Sequence, residues 1–126
     1  MRRVEQLVAD MRDAGLAVRV GVHGDLSILS PGVDLAGYRI IQEALTNALK
    51  HASGARVEAA ITCSEKTLVI EVIDDGGASA STADNHAGNG LVGMRERATL
   101  YGGEMVAGPT PDGGFAVRAR IPLEVA

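Results

Sequence analysis

The strand-forming segments of this sequence come in pairs joined by turns too short for a crossover. VEAAITC (57–63) and TLVIEVI (67–73) are separated only by Ser64, Glu65 and Lys66. EMVAG (104–108) and FAVRARIPL (115–123) are separated by a turn from Pro109 to Gly114. Parallel neighbours need a connection of about a dozen residues or more, so each pair reads as an antiparallel hairpin. A fifth strand, LAVRVGVHGD (16–25), places Leu16, Val18, Val20 and Val22 on one face and Ala17, Arg19, Gly21 and His23 on the other, ending at Gly24-Asp25.

Helices fill the intervals. Val4, Leu7, Val8 and Met11 stand at i, i+3, i+4 and i+7, an amphipathic helix over 1–14 that stops at Gly15. Pro31-Gly32 predicts a turn and Asp34 the N-cap of a long helix through about His51. LVGMRERATLY (91–101) returns to helical spacing and ends at Gly102-Gly103. Between Asp74 and Gly90 lie mostly Gly, Ala, Ser, Asp and Asn without periodicity, longer than an ordinary connection and therefore expected to be a functional loop. The order helix, strand, helix, hairpin, long loop, helix, hairpin predicts an α+β fold. Its architecture is a two-layer sandwich, with a mixed, largely antiparallel sheet and helices on one face.

Composition narrows the function. The chain has 126 residues, 12 Lys+Arg against 16 Asp+Glu for a formal charge of −4, and 46% hydrophobic residues, which fits one soluble domain over 1–126. An acidic chain whose only aromatics are Tyr38, Tyr101 and Phe115 lacks the basic footprint and stacking platforms of a nucleic-acid binder. The single Cys63 makes no internal disulfide, and no Cys or His pair has metal-ligand spacing, which suits a reducing cytoplasm. The charged N-terminal segment is unlike a signal peptide. No apolar run approaches the ~20 residues of a membrane span, so no direct membrane contact is expected of this chain.

Three segments carry chemistry. On the helix RIIQEALTNALKHA (39–52), with Glu43 at zero, Asn47 falls at about 40°, Lys50 near −20°, Arg39 near −40° and His51 near 80°, one polar stripe opposite an apolar back of Ile41, Leu45, Ala48 and Ala52. Asp74-Asp75-Gly76-Gly77 sets a carboxylate pair at a strand end before glycines that allow close backbone approach; a carboxylate only accepts hydrogen bonds, so it suits an exocyclic amine such as that of adenine. Gly88-Asn89-Gly90-Leu91-Val92-Gly93-Met94 leads from a glycine-rich loop into a helix N-terminus, whose free N–H groups favour phosphate. The spacing fits neither the P-loop nor the dinucleotide-binding fingerprint.

In this order the three segments resemble the ATP-binding catalytic domain of sensor histidine kinases, in the wider GHKL ATPase superfamily with the Bergerat fold, and within it the nitrate-sensor-like subfamily. The matching stretches are Tyr38 to Ala52, Asp74 to Gly76 and Gly90 to Gly103. The resemblance implies a nucleotide site. Asn47 is similar to the asparagine that holds Mg²⁺, Lys50 to the lysine that reaches the phosphates, and Glu43 to the acidic or amide residue that orients metal-bound water or acts as general base. His51 would line the pocket beside the ribose or phosphates. Asp74 is similar to the adenine-binding aspartate of the DxGxG box, with Gly76 its first glycine and Ala78 standing where the second glycine is usual. Gly88, Gly90, Leu91 and Gly93 match the second glycine box, and residues 79–89 would form a lid over the phosphates. In the last strand's motif Gly114-Phe115 replaces a Gly-Thr pair, removing a hydroxyl from near the adenine.

The implied reaction is transfer of the γ-phosphoryl of Mg²⁺·ATP to a histidine on a separate upstream dimerisation domain, with a response regulator as partner through the full-length kinase. None of His23, His51 and His86 stands in the expected acceptor setting, so the chain reads as a catalytic domain excised from a longer kinase and unable to autophosphorylate alone. Two other readings use the same motifs: a serine kinase acting on an anti-anti-sigma partner, and a degenerate nucleotide-binding or scaffolding module. The wording of residues 38–52 and 90–97 favours the histidine kinase over the serine kinase, whereas Ala78 and Phe115 are what a degenerate module would carry. Arg95 and Arg97 stay outside the assigned site. Tyr38, Leu45, Val57, Ile61, Leu68, Ile70, Val72, Leu91, Met94 and Ile121 read as core.

Overall fold

A computed structural model describes residues 3–51, 55–76 and 91–123, with the backbone alone at His51. The elements are α1 (Val4–Asp13), β1 (Ala17–Gly24), a short 3₁₀ turn (Leu26–Ile28), α2 (Pro31–His51), β2 (Arg56–Cys63), β3 (Thr67–Asp74), α3 (Leu91–Leu100), β4 (Glu104–Pro109) and β5 (Phe115–Pro122). The sheet order is β1-β2-β3-β5-β4. β1 and β2 pair in parallel across the α2 crossover, and the other three pairings are antiparallel. The expected α+β sandwich with a mixed, largely antiparallel sheet is therefore the observed one.

Alternation places the core. In β2, Val57, Ala59, Ile61 and Cys63 are buried, and in β3 Leu68, Ile70, Val72 and Asp74, while the residues between them are exposed or half-buried. The buried apolar ones meet Ile40, Ile41, Ala44, Leu45 and Ala48 of α2 and Met94 and Ala98 of α3 in one cluster, so the helices lie on one face. On the opposite face Glu71 and Arg118, register partners across β3 and β5, form an exposed ion pair at 3.5 Å.

Two helix ends show why the glycines stand where they do. After α1, the Gly15 N–H donates to the Arg12 carbonyl and the Leu16 N–H to that of Met11, with Gly15 at φ +104°. After α3, the Gly102 N–H donates to Thr99 and the Gly103 N–H to Ala98, with Gly102 at φ +79°. This is the 6→1 and 5→2 pair of a Schellman end, which needs a left-handed residue.

The expected turn at Pro31-Gly32 and cap at Asp34 are corrected. The helix begins at Pro31, and Ser30 is the cap: its hydroxyl accepts from the Val33 N–H (3.3 Å) and its carbonyl from the Asp34 N–H (2.9 Å). Proline fits the first helical position because the N–H it lacks would have no intrahelical partner there. Asp34 lies in the first turn, where its charge complements the helix dipole. The core reading also shifts at its margins: Tyr38 and Leu91 are only half-buried, and Val22 near the end of β1 is 48% exposed.

Candidate nucleotide site

Strand directions bring the candidate residues to one end of the molecule. β2 begins where β3 ends, with Val57 opposite Asp74, and β5 begins there too, with Phe115 opposite Asp74. α2 runs from the end of β1 to the start of β2, so its last turns, carrying Asn47 and Lys50, arrive at this end. α3 follows β3 and leads to β4, which runs parallel to β3, so α3 is antiparallel to α2 and its first turn lies at this end as well.

The site is marked by burial. Among the described residues, the buried polar or charged side chains are Asn47, 7% exposed, and Asp74, 6% exposed. Burying such groups carries a desolvation cost that an apolar residue would avoid, so their convergence at one end points to a use. Asn47 owes its burial to its position on the helical wheel, beside the arc of Ile40 and Ala44 that α2 turns to the sheet. Its stripe-mates remain nearer solvent: Glu43 is half-buried, Lys50 exposed, and Arg39 exposed with its Nη1 donating to Gln42 Oε1 at 3.0 Å.

The acidic pair at the end of β3 divides its labour. The Asp74 carboxylate turns inward, and its Oδ1 accepts from the Gly76 N–H at 2.8 Å, an Asx-type turn that fixes its orientation. A carboxylate offers about four accepting positions, and this bond takes one. Asp75 is exposed and structural: its Oδ1 accepts from the Arg56 N–H at 2.9 Å, while its own N–H donates to the Arg56 carbonyl at 3.1 Å, which ties the end of β3 to the start of β2.

Glycines shape the floor. A Cβ on Gly114 would overlap the Asp74 carbonyl oxygen, and a Cβ on Gly76, at φ +81°, would overlap the Gly113 carbonyl oxygen. The Asp74–Gly76 turn and the Gly113–Gly114 turn therefore lie backbone to backbone, a proximity set by the β3–β5 register and invisible in the sequence. Phe115 is buried in the main cluster next to Asp74, so the position where the family pattern places a hydroxyl here supplies apolar wall.

Of the other residues singled out from sequence, Gly93 lies half-buried in the first turns of α3, and Leu91 begins that helix. Met94 is fully buried, as a core residue. The His51 side chain, Ala78, Gly88, Gly90 and the lid segment lie outside the described residues. The donor types are those Mg²⁺ takes: the Asn47 amide oxygen and the Glu43 carboxylate stand one turn apart on α2. A hard cation that keeps several waters and takes phosphate oxygens needs only one or two protein oxygens.

Comparison with known proteins gives the family and the fold. Residues 32–125 match the family model described as histidine kinase-, DNA gyrase B-, and HSP90-like ATPase. The chain is 31% identical over 121 residues to the sensor histidine kinase LnrJ of Bacillus subtilis, covering 95% of this chain and 30% of that protein. It is 36% identical over 92 residues to the signal transduction histidine-protein kinase/phosphatase DegS of Brevibacillus brevis, covering 72% of this chain and 24% of that one. The chain thus spans less than a third of the length of these curated relatives. Its fold is similar to that of the Erythrobacter litoralis EL346 blue-light activated histidine kinase, with a TM-score of 0.71 at 24% identity over 95% of this chain and 44% of that one. The histidine kinase domain from the same protein aligns with a TM-score of 0.68 at 25% identity, over 94% and 58% of the two chains.

Proposed function

The chain belongs to the histidine kinase-, DNA gyrase B- and HSP90-like ATPase family, and from that premise we propose that it binds Mg²⁺·ATP at the Asp74–Asn47 end and donates the γ-phosphoryl to a histidine on a separate dimerisation domain, as one module of a two-component kinase. The observation that carries the reading is the convergence of the two buried polar side chains, Asn47 and Asp74, at the end where β3 finishes and α3 begins. Such a module fits relatives that are named histidine kinases and extend well beyond the matched region.

Asp74 accepts from the exocyclic amine of adenine, held in place by its bond to the Gly76 N–H. Gly76 and Gly114 let the two turns behind it pack backbone to backbone, which fixes where the carboxylate sits. Leu91 and Gly93 bring the N-terminus of α3 to the phosphates, where its N–H groups and dipole favour negative charge. Lys50, exposed on the last turn of α2, adds a mobile point charge. Asn47, with Glu43 one turn before it, would hold Mg²⁺, which when bound offsets phosphate charge. The His51 side chain, Ala78, Gly88 and Gly90, which lie outside the described residues, would complete the proposed pocket.

In the transfer itself, a ring nitrogen of the acceptor histidine forms the new N–P bond as the bond to the β-phosphate oxygen breaks, leaving ADP. The histidine proton passes to an acidic residue on the acceptor's own domain. This chain contributes position and charge neutralisation. The response regulator then draws on the phosphohistidine, and a cytoplasmic location follows from that partner.

The test mixes the domain with its dimerisation domain and γ-labelled ATP. Acid-labile, base-stable label on the dimerisation domain is expected, and its absence at saturating ATP would overturn the transfer reading. Label on a serine instead would favour the serine-kinase alternative. Nucleotide binding without any transfer would favour the degenerate module.

A further inference from the structure

A cation lies beside the first turns of α3. Arg97 is half-buried, and among the described residues it makes neither a hydrogen bond nor an ion pair. Its side chain folds back along the helix, as helical side chains lean toward the N-terminus, and brings Nη1 to within 3.0 Å of where a Cβ on Gly93 would stand. Gly93 is therefore the space the guanidinium occupies. Glycine inside a helix costs about 0.5–1 kcal/mol relative to alanine, so a glycine that only makes room for an arginine needs a reason beyond the helix itself.

The wheel of α3 shows which way this pair points. With Met94 at zero, Gly93 falls near −100°, Arg97 near −60° and Tyr101 near −20°. Leu100, near −120°, lines one pocket with Val33 of α2, and Tyr101, directly after the helix, lies against Gly32, so this flank of α3 is turned toward α2. Arg95, near 100°, is on the far flank and exposed. Because the two helices are antiparallel, the Gly93 turn lies toward the end of α2 that carries Asn47 and Lys50.

We propose that Arg97 binds the nucleotide's phosphates, its guanidinium laid over Gly93 at the start of α3. The proposal rests on the nucleotide reading above and adds to it a planar, two-pronged donor where Lys50 offers a point charge. Gly93 is then specified by the guanidinium beside it as well as by the backbone approach of the phosphates.

The test titrates the 126-residue domain with ADP and with adenosine, which has the same base and sugar but no phosphate. Arg97→Ala is expected to weaken ADP binding tenfold or more, about the effect of a charge-assisted hydrogen bond, and to leave adenosine binding unchanged. Arg97→Lys should fall between, and Arg95→Ala should match the parent. Gly93→Ala meets only the flexible end of Arg97, so it keeps the fold and weakens ADP binding, and its added loss on the Arg97→Ala background is smaller than its loss in the parent. Unchanged ADP affinity in folded Arg97→Ala, equal losses for ADP and adenosine, or an equal loss in Arg95→Ala would each overturn the assignment while leaving the nucleotide reading standing. Failure of the parent domain to bind ADP would overturn both.

Discussion

The same two layers close differently at their two ends. Where β3 starts and β5 finishes, Leu68 faces Ile121 in register, Val33 of α2 belongs to the same buried cluster, and Tyr101, directly after α3, packs on Gly32. No polar side chain is buried at that end among the described residues. At the other end the layers enclose Asn47 and Asp74, and the sheet narrows to two turns in backbone contact. A chain able to seal one end with apolar side chains has no packing need for an amide and a carboxylate at the other. The proposal assigns stability to the apolar end and binding to the polar one.

If that division is real, substitutions at the two ends must move different observables. The largest effect is expected from Leu68→Ala, which empties a fully buried site: about 2–5 kcal/mol of stability lost in urea unfolding, with the ADP affinity of the folded protein unchanged. Asp74→Asn should do the reverse, costing about 1.5–3 kcal/mol of ADP binding by calorimetry while the unfolding midpoint barely moves. A stability loss as large as that of Leu68→Ala would make Asp74 a structural residue. Asn47→Ala is expected to cost about 1 kcal/mol of affinity in Mg²⁺ and nothing in EDTA, so a loss that persists in EDTA would remove the metal role. The smallest effect belongs to Asp25, at the apolar end. Its carboxylate is held below the ordinary value of 3.8 by hydrogen bonds from the Ser27 hydroxyl and N–H. A depressed carboxylate stabilises the fold above its unfolded pKa and loses that contribution as pH falls through the folded one. The thermal-stability difference between parent and Asp25→Asn should therefore be small at pH 6 and vanish in strong acid.

The division also separates what was legible in the sequence from what was not. The hairpins were legible because turns of three and six residues leave no other pairing, and the apolar back of α2 because period 3.6 assigns Ile41, Leu45 and Ala48 to one face. Asp74 was legible through the glycine after it. The wheel alone could not separate Asn47 from Lys50: both fall on the polar stripe, and only the packing of α2 against the sheet buries the first and leaves the second exposed. Pro31-Gly32 misled because the same pair opens a turn or a helix, and the deciding group is the Ser30 hydroxyl before it. The split between Asp74 and Asp75 and the need for Gly114 depend on strand register, which periodicity does not encode. Arg97 stays outside the assigned site in the sequence because surface pairing with Glu96 or packing of its stem explains it as well, and only the fold defines the direction of its helix flank.

The central claim is that the buried Asp74 carboxylate reads the amine of adenine. The most direct measurement is a calorimetric titration of the domain with ADP and with GDP in Mg²⁺. Guanine presents a carbonyl oxygen where adenine presents an amine, and a carboxylate can only accept. The account predicts one-site ADP binding and weak or absent GDP binding. Equal affinity for the two nucleotides, or heat from neither, would contradict it.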